Sequence, residues 1–285
     1  MIVDAHQHFW RLSRADYDWL TPSLETLYRD FEPDDLAEEL RLHRVQATVV
    51  VQAAATVEET RFLLELSEQH AFIAGVVGWA PLDRPEGPEV IQELAANSKL
   101  RALRPMIQDI SDERWMLRDD VAESIDAIVR AELGFDALVT PRHLSHLRDL
   151  LDQHPDLPVV IDHGAKPDIA AGPGWGGFEE WSEHLAALAT EERVMCKLSG
   201  LVTEASGDWT VACLRPFSDA ILEAFGPQRV MWGSDWPVLT MNGSYDRWFQ
   251  AALALTEALS DAERAAVFGG NAVDFYGLRL DENEA

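Results

Sequence analysis

Two histidines stand one residue apart near the start of the chain, within the segment DAHQH. Side chains alternate along a β-strand, so His6 and His8 would point to the same side and Gln7 to the other. Imidazole nitrogens bind metal ions and also stabilise an oxygen that gains negative charge. The pair therefore predicts a metal site or a site that polarises a carbonyl group, with two structural histidines as the alternative.

Polar residues also stand at the ends of other runs of β-branched residues. His163 ends one such run, Asp235 ends another in the segment GSDWP, and Arg104 lies late in a third. Gln52 and Trp79 end two more runs. A carboxylate is able to act as a general base, whereas imidazole and guanidinium groups donate hydrogen bonds to a developing oxyanion. Their placement at strand ends indicates a functional site, because a purely structural core has no need of buried charge.

The elements that must position these residues are eight short apolar runs separated by segments with helical spacing. Because the runs are nearly continuously apolar, they indicate a parallel sheet that is covered on both faces. Eight strand–helix alternations predict an α/β fold, a (β/α)₈ TIM-type barrel spanning residues 1–285 as a single domain, with a doubly wound open sheet as the alternative. The predicted strands are residues 2–6, 47–52, 72–79, 100–107, 135–140, 157–163, 194–200 and 229–235.

Six segments between or after these runs show helical spacing. Each carries apolar residues three or four apart, and several begin with proline or acidic residues, as helix N-termini do. One predicted helix begins at Pro33. The other five span residues 57–70, 141–154, 178–192, 209–225 and 245–259. Two irregular stretches, 10–33 and 165–177, follow predicted strands. Active sites of barrels lie at the carboxyl ends of the strands, so both stretches are candidate lids.

The charge balance excludes several classes of function. The chain has 23 Lys and Arg against 50 Asp and Glu, a formal net charge of −27. This balance argues against nucleic-acid binding, against an anionic membrane partner and mildly against a polyanionic substrate. Two cysteines without close spacing, and the lack of a basic segment followed by a long apolar run, lead us to expect a cytoplasmic protein.

Five segments in order along the chain carry a family resemblance. DAHQHFW (residues 4–10), IDHGAKP (161–167), CKLSGL (196–201), MWGSDWP (231–237) and GGNAVDFYGL (269–278) closely resemble the amidohydrolase superfamily. Within it they are similar to the amidohydrolase-2 branch, which contains sugar-lactone hydrolases and, more distantly, a hydrolase of a pyrone dicarboxylate. The resemblance implies a distorted (β/α)₈ barrel and hydrolysis of a cyclic ester, and it runs almost end to end.

The resemblance also implies roles for particular residues. The family's first-strand histidine pair falls on His6 and His8, its sixth-strand histidine on His163 and its eighth-strand aspartate on Asp235. The arginine of its fourth-strand R-x-x-x-Q pattern falls on Arg104, and Gln108 completes that pattern.

The candidate metal ligands of this sequence differ from those of the two-metal members of the superfamily. Those members carry a lysine on strand four and a histidine on strand five, whereas this chain has Arg104 and the pair Val139-Thr140 there. A binuclear site is therefore not expected. His6, His8 and Asp235 could hold one zinc ion. Because the branch is thought to work without an obligatory metal, and an arginine would repel a dication, we expect no required cofactor, with one zinc ion as the alternative.

The expected reaction is the opening of a neutral aldono-lactone to its aldonic acid. Asp235 would act as general base, while His6, His8, His163 and Arg104 would donate to the carbonyl oxygen. Expected substrate-binding residues are Gln52, Trp79, Lys166, Trp236 and Trp10, with Trp175 as a further apolar wall. Two alternatives remain: a zinc-dependent decarboxylase or amide hydrolase of the same superfamily, and a non-catalytic carbohydrate-binding barrel. The identity of the lactone and the oligomeric state stay open.

Overall fold

The strands form one parallel sheet that curls into a barrel. The computed structural model describes residues 1–280. Within that range the sheet has eight strands in sequential order, each parallel to the next. The strands are β1 (Val3–Gln7), β2 (Ala47–Val51), β3 (Ile73–Gly78), β4 (Leu100–Leu103), β5 (Gly134–Ala137), β6 (Val159–Ile161), β7 (Val194–Leu198) and β8 (Val230–Trp232). The eight predicted strands are confirmed, with boundaries that differ from the prediction by up to four residues.

The first and last strands meet just beyond their carboxyl ends. Gln7 pairs with Trp236 in a parallel bridge, and the amide of His8 donates to the carbonyl of Trp236 at 2.7 Å. The amide of Asp235 donates to the carbonyl of His6, also at 2.7 Å. This pairing closes the sheet on itself, so the open-sheet alternative is wrong.

Helices surround the strands. The α-helices of the described chain are α1 (Pro33–His43), α2 (Val57–Gln69), α3 (Gly87–Ala95), α4 (Asp119–Arg130), α5 (Leu144–Gln153), α6 (Phe178–Leu188), α7 (Val211–Phe225), α8 (Tyr245–Leu255), α9 (Asp261–Ala265) and α10 (Asn271–Tyr276). Six of the first eight match the predicted helices, whereas α3 and α4 had no counterpart among them. No helix in residues 1–280 has the length and apolar character needed to cross a membrane.

Two apolar cores lie on the two sides of the sheet. The larger one joins the strands to the surrounding helices. The smaller one combines alternate strand residues such as Val49, Val77 and Val160 with Tyr276 and Leu278, which come from α10 and the residues after it. Strands buried on both faces explain the continuous apolar runs in the sequence.

Candidate active site

The polar residues expected at the strand ends come together in the structure. His6 lies in β1, and His8, Arg104, His163 and Asp235 each follow the end of a strand. All five are at most 4% exposed. Because the strands are parallel and sequential, their carboxyl ends share one face of the barrel. The structure therefore brings these side chains into one buried cluster.

Asp235 is the centre of this cluster. Its Oδ1 atom lies 3.3 Å from Nε2 of His8, 3.8 Å from Nε2 of His6 and 3.9 Å from Nε2 of His163. The residue has a φ of +59°, in the left-handed region, and its amide is held by the carbonyl of His6. A strained backbone conformation of this kind persists only where surrounding contacts hold it. The pairing between β1 and the end of β8 thus fixes the carboxylate against the three imidazoles.

The hydrogen bonds of His8 determine where its proton lies. Its Nδ1 atom is 2.7 Å from the carbonyl oxygen of Val51, which only accepts hydrogen bonds. The ring proton of neutral His8 is therefore on Nδ1, and the lone pair of Nε2 faces the Asp235 carboxylate. Two electron-rich atoms at 3.3 Å repel unless a proton or a cation lies between them. A cation between the two atoms would satisfy both, and the role of His8 as an oxyanion donor stays a prediction.

Arg104 is held by several partners at the edge of the cluster. Its Nη1 atom lies 3.3 Å from Nε2 of His6 and 3.3 Å from Oδ2 of Asp162, and Nη2 donates to the backbone carbonyl of Gln52. The Gln52 side chain donates to the Arg104 carbonyl at 2.8 Å. Gln52 holds Arg104 through these contacts and is not among the residues that line the cavity described below, so its expected contact with substrate stays a prediction.

Burial and neighbouring charges set the protonation of the cluster. Burial, with help from Lys197, lowers the pKa of His6 well below its ordinary value. Burial also lowers the pKa of His163 to about 4. For Asp235, burial favours the neutral acid, but His163 and His8 outweigh it and hold the carboxyl pKa below its usual range. Near pH 7 the imidazoles of His6 and His163 are therefore neutral, and the carboxylate of Asp235 is ionised.

The cluster opens into a cavity of about 300 Å³. Both irregular stretches expected to be lids contribute to its wall: Trp19 and Leu24 come from residues 10–33, and Lys166 comes from 165–177. Gln108, which completes the R-x-x-x-Q pattern, also lines the cavity, together with Asp109, Thr203 and Glu204 among its polar residues and with Ala53, Met106, Leu138, Val238 and Met241 among its apolar ones. A volume of this size suits a small ligand.

The four tryptophans expected near the substrate are not among the cavity-lining residues of the described chain. Trp10 is fully buried and packs edge-to-face on Trp19 at 5.4 Å, so it supports the wall from behind. Trp236 is 5% exposed and packs edge-to-face on Phe9 and Phe31. Trp79 and Trp175 are also absent from the lining residues of the described chain.

Three comparisons place the chain among known proteins. The sequence profile of the amidohydrolase family matches residues 3–278. An L-fucono-1,5-lactonase from Burkholderia ambifaria is 43% identical over 97% of this chain and 95% of its own length. A crystal structure of an amidohydrolase from Burkholderia multivorans with bound HEPES superposes with a TM-score of 0.92 at 38% identity, covering 98% of this chain and 100% of that one. The chain belongs to the amidohydrolase family.

The amidohydrolase also contains buried charges that the sequence analysis did not single out. Lys197 in β7 is fully buried, and its Nζ lies 2.5 Å from Asp136, 3.0 Å from Asp162 and 3.2 Å from Nδ1 of His6. The Tyr276 hydroxyl donates to Asp136 at 2.8 Å. Burial raises the pKa of Asp136 to about 6, whereas Lys197 and His6, against the effect of burial, hold the pKa of Asp162 well below its ordinary value.

The sequence contains a signal that could have identified Lys197 and Asp136. A charged side chain in the middle of an apolar run must be paired if both faces of the sheet are buried. Lys197 in VMCKL and Asp136 in GFDA are such cases.

The donor set of the amidohydrolase fits a single divalent cation. His6, His8 and Asp235 offer three ligand atoms within 4.8 Å of one another. The Nε2 to Oδ1 separations of 3.3 and 3.8 Å approach the edges of a tetrahedron around zinc, and the bond from His8 to Val51 leaves Nε2 free to coordinate. The buried cations Arg104 and Lys197 pair with Asp162 and Asp136, whereas the printed distances of Asp235 are to histidines, so its negative charge suits a bound cation.

A relative also binds zinc in this fold. A second crystal form of the Burkholderia multivorans amidohydrolase holds zinc and superposes with a TM-score of 0.90 at 38% identity, covering 98% of this chain and 100% of that one. The zinc alternative is consistent with this finding, and the expectation of no required cofactor has no support from it.

Proposed function

We propose that this amidohydrolase hydrolyses a neutral sugar lactone to the aldonic acid. The observation that carries the proposal is the Asp235 carboxylate, which faces three imidazoles in a cavity of about 300 Å³. The family membership and a relative named L-fucono-1,5-lactonase at 43% identity support lactone hydrolysis as the reaction class.

Asp235 is the general base in this proposal. It accepts a proton from the attacking water, and the water oxygen bonds to the lactone carbonyl carbon. When the ring C–O bond breaks, Asp235 returns the proton to the leaving alkoxide, so the product is an open-chain hydroxy acid. The Asp235 side chain forms part of the cavity wall. In this proposal it reaches both the attacking water and the leaving ring oxygen of the lactone.

The carbonyl oxygen needs hydrogen-bond donors as it gains charge. Arg104 always carries its protons, and it lines the cavity. His163 becomes a second donor through Nε2 when the Ser199 hydroxyl, 2.9 Å away, donates to Nδ1. We assign the oxyanion contacts to Arg104 and His163, because the lone pairs of His6 and His8 face Arg104 and Asp235 respectively.

His6, His8 and Asp235 offer three ligand atoms within 4.8 Å of one another, and a crystal structure of a relative at 38% identity holds zinc. We infer that His6, His8 and Asp235 hold one divalent metal ion, which revises the expected metal-free site. A bound zinc ion lowers the pKa of water and polarises carbonyl groups.

The charges of the cavity favour a substrate without a carboxylate. The two cationic residues in its wall already have anionic partners: Arg104 lies 3.3 Å from Asp162, and Lys166 lies 3.1 Å from Glu204. Asp109, Glu204 and Asp235 add negative charge to the same wall. A substrate carboxylate would enter against this field without a free cation to pair with. Sugar hydroxyls, in contrast, find both donors and acceptors there.

The test is a panel of aldono-1,4- and aldono-1,5-lactones, with acid release followed by a pH indicator and corrected for spontaneous hydrolysis. We expect hydrolysis of at least one neutral lactone and only weak activity on a lactone that bears a carboxylate. Loss of CO₂ from an aromatic acid without lactone hydrolysis would instead favour the decarboxylase alternative. Lactone binding without turnover in the zinc-loaded protein would favour the carbohydrate-binding alternative.

A further inference from the structure

A second buried carboxylate lies outside the cluster around Asp235. Glu59 in the first turn of α2 is fully buried, and both of its oxygens accept hydrogen bonds. The Tyr17 hydroxyl donates to Oε2 at 2.7 Å, and the Ala53 amide donates to Oε1 at 3.1 Å. Arg14 Nη2 lies 3.4 Å from Oε2. A buried carboxylate is costly, so a specific set of partners of this kind calls for an explanation.

These contacts connect Glu59 to the cavity wall. Tyr17 belongs to the 10–33 stretch and stands two residues before Trp19. The indole Nε1 of Trp19 donates to the carbonyl of Ala53 at 2.7 Å, and both Trp19 and Ala53 line the cavity. One carboxylate therefore holds the backbone of Ala53 on one side and the stretch that carries Trp19 on the other.

Neighbouring contacts reinforce the same arrangement. Arg14 also bonds to Asp16 at 2.6 Å, and the Thr56 hydroxyl donates to Asp16 at 3.0 Å. Thr56 caps α2 by accepting from the Glu59 amide at 3.1 Å. The 10–33 stretch is thus bound to the start of α2 through side chains.

We propose that Glu59 is a positioning residue that seats Trp19 as an aromatic wall against the carbon substituents of the lactone ring. The proposal rests on the proposed function, since it names the group that shapes the same cavity. Glu59 touches neither the reacting atoms nor the metal-ligand set. Its effect reaches substrate through Tyr17, Ala53 and Trp19, so it should govern the affinity for a substituted lactone and leave the chemical step unchanged.

The test compares four variants on two substrates. Tyr17→Phe removes only the hydroxyl, Glu59→Gln keeps the shape but loses the charge, and Trp19→Phe shortens the wall itself. Glu58→Gln, on the same helical turn but 71% exposed, is the matched control. The substrates are the best aldono-lactone of the panel and unsubstituted δ-valerolactone, whose bare ring has no substituent to meet Trp19.

For Tyr17→Phe, Glu59→Gln and Trp19→Phe we expect the KM of the aldono-lactone to rise about tenfold, the scale of one or two lost hydrogen bonds, with kcat within about twofold. Kinetics on δ-valerolactone should not change in Tyr17→Phe and Glu59→Gln, and Glu58→Gln should match the wild type on both substrates. An unchanged KM for the aldono-lactone, or equal losses on both substrates, would overturn the proposal, because a purely structural defect affects both alike.

A second measurement does not depend on lactone hydrolysis. Hydrogen exchange of the amides in residues 10–33 should be faster in Tyr17→Phe and Glu59→Gln than in the wild type and in Glu58→Gln. If the wild type hydrolyses no lactone, the proposed function fails, while this exchange pattern still decides whether Glu59 holds the wall. Unchanged exchange in both variants overturns the positioning role whatever the substrate.

Discussion

The ammonium group of Lys197 lies 3.2 Å from Nδ1 of His6. At the other nitrogen of the same ring, Nη1 of Arg104 lies 3.3 Å away. His6 is therefore bracketed by two cations, which disfavour a third charge on the imidazole. Burial and Lys197 lower the pKa of His6 and keep the ring neutral, against the opposite effect of Asp162 at 3.4 Å.

Replacing Lys197 by methionine should destabilise the protein strongly. The variant leaves Asp136 and Asp162 buried without their shared cation, and breaking a buried pair of this kind costs about 3–5 kcal/mol. Urea unfolding at pH 7 measures the loss. The double variant Lys197→Met with Asp136→Asn should recover part of it, because one of the two stranded charges is removed. A loss below about 1 kcal/mol in the single variant would contradict the buried ion-pair assignment.

Asp235→Asn should abolish most of the activity and keep the fold. Asparagine has nearly the same shape but cannot take the proton of water, so we expect kcat to fall by about 10³ or more. Steady-state kinetics on the best lactone and circular dichroism give the two readouts. Asp156→Asn, at a side chain 73% exposed, is the control and should behave as the wild type. Near-normal turnover in Asp235→Asn would remove this residue from the proposed chemistry.

Metal analysis tests the cation site directly. We expect about one zinc ion per chain after loading and dialysis, measured by mass spectrometry. Exhaustive chelation should abolish lactone hydrolysis, and added zinc should restore it. His8→Gln should lower the bound zinc, since it removes one of the three ligand atoms. Full activity in protein freed of metal would instead support the metal-free site expected from the sequence.

Glu204→Gln should change the charge preference of the cavity. The variant releases Lys166 from its partner at 3.1 Å and removes one negative charge from the wall. A lactone that bears a carboxylate should then bind about fivefold more tightly, as one partly exposed ion pair allows, while a neutral lactone changes little. The ratio of the two KM values is the measurement. An unchanged ratio would show that Lys166 does not discriminate between these substrates.

The stability of the protein should depend on pH through Glu59. Burial raises its pKa to about 7, and the facing groups are Tyr17, Arg14 and Asp16. An acid with a raised folded-state pKa contributes stability that is present below its unfolded value of 4.5 and is lost as the pH rises to about 7.

Comparison with Glu59→Gln isolates this contribution, because glutamine does not titrate. Between pH 4.5 and 7 the wild type should lose about 3 kcal/mol relative to the variant, measured by urea unfolding at each pH. A difference that stays constant over that interval would contradict the raised pKa.

The barrel and its cluster were predictable because both depend on regular features of the sequence. Continuous apolar runs indicated strands buried on both faces, and sequential parallel strands bring their carboxyl ends together. His6, His8, Arg104, His163 and Asp235 could be assigned to one site on that basis. Helix α4 was missed, although the sequence contains a signal for it. Val121, Ile125 and Ile128 are spaced four and three apart after two acidic residues.

The cavity wall was not predictable, because irregular stretches take their course from tertiary contacts. Trp10 and Trp19 both lie in or at the start of the 10–33 stretch, and composition does not distinguish them. The Trp10 indole donates to the carbonyl of Arg29 and turns into the core, while that of Trp19 donates to Ala53 and remains at the cavity. The two indoles take different positions because their acceptors, the carbonyls of Arg29 and Ala53, lie 19 and 34 residues away along the chain.

The junction that joins the end of β8 to β1 makes the cluster depend on residues 227 positions apart along the chain. During synthesis His6 is made well before Asp235, and the backbone that seats Asp235 forms only when residues 235 and 236 pair with residues 6 to 8. A nascent chain therefore has histidines without the carboxylate opposite them. The nascent polypeptide would neither hydrolyse lactones nor bind a cation tightly before the end of β8 has paired with β1.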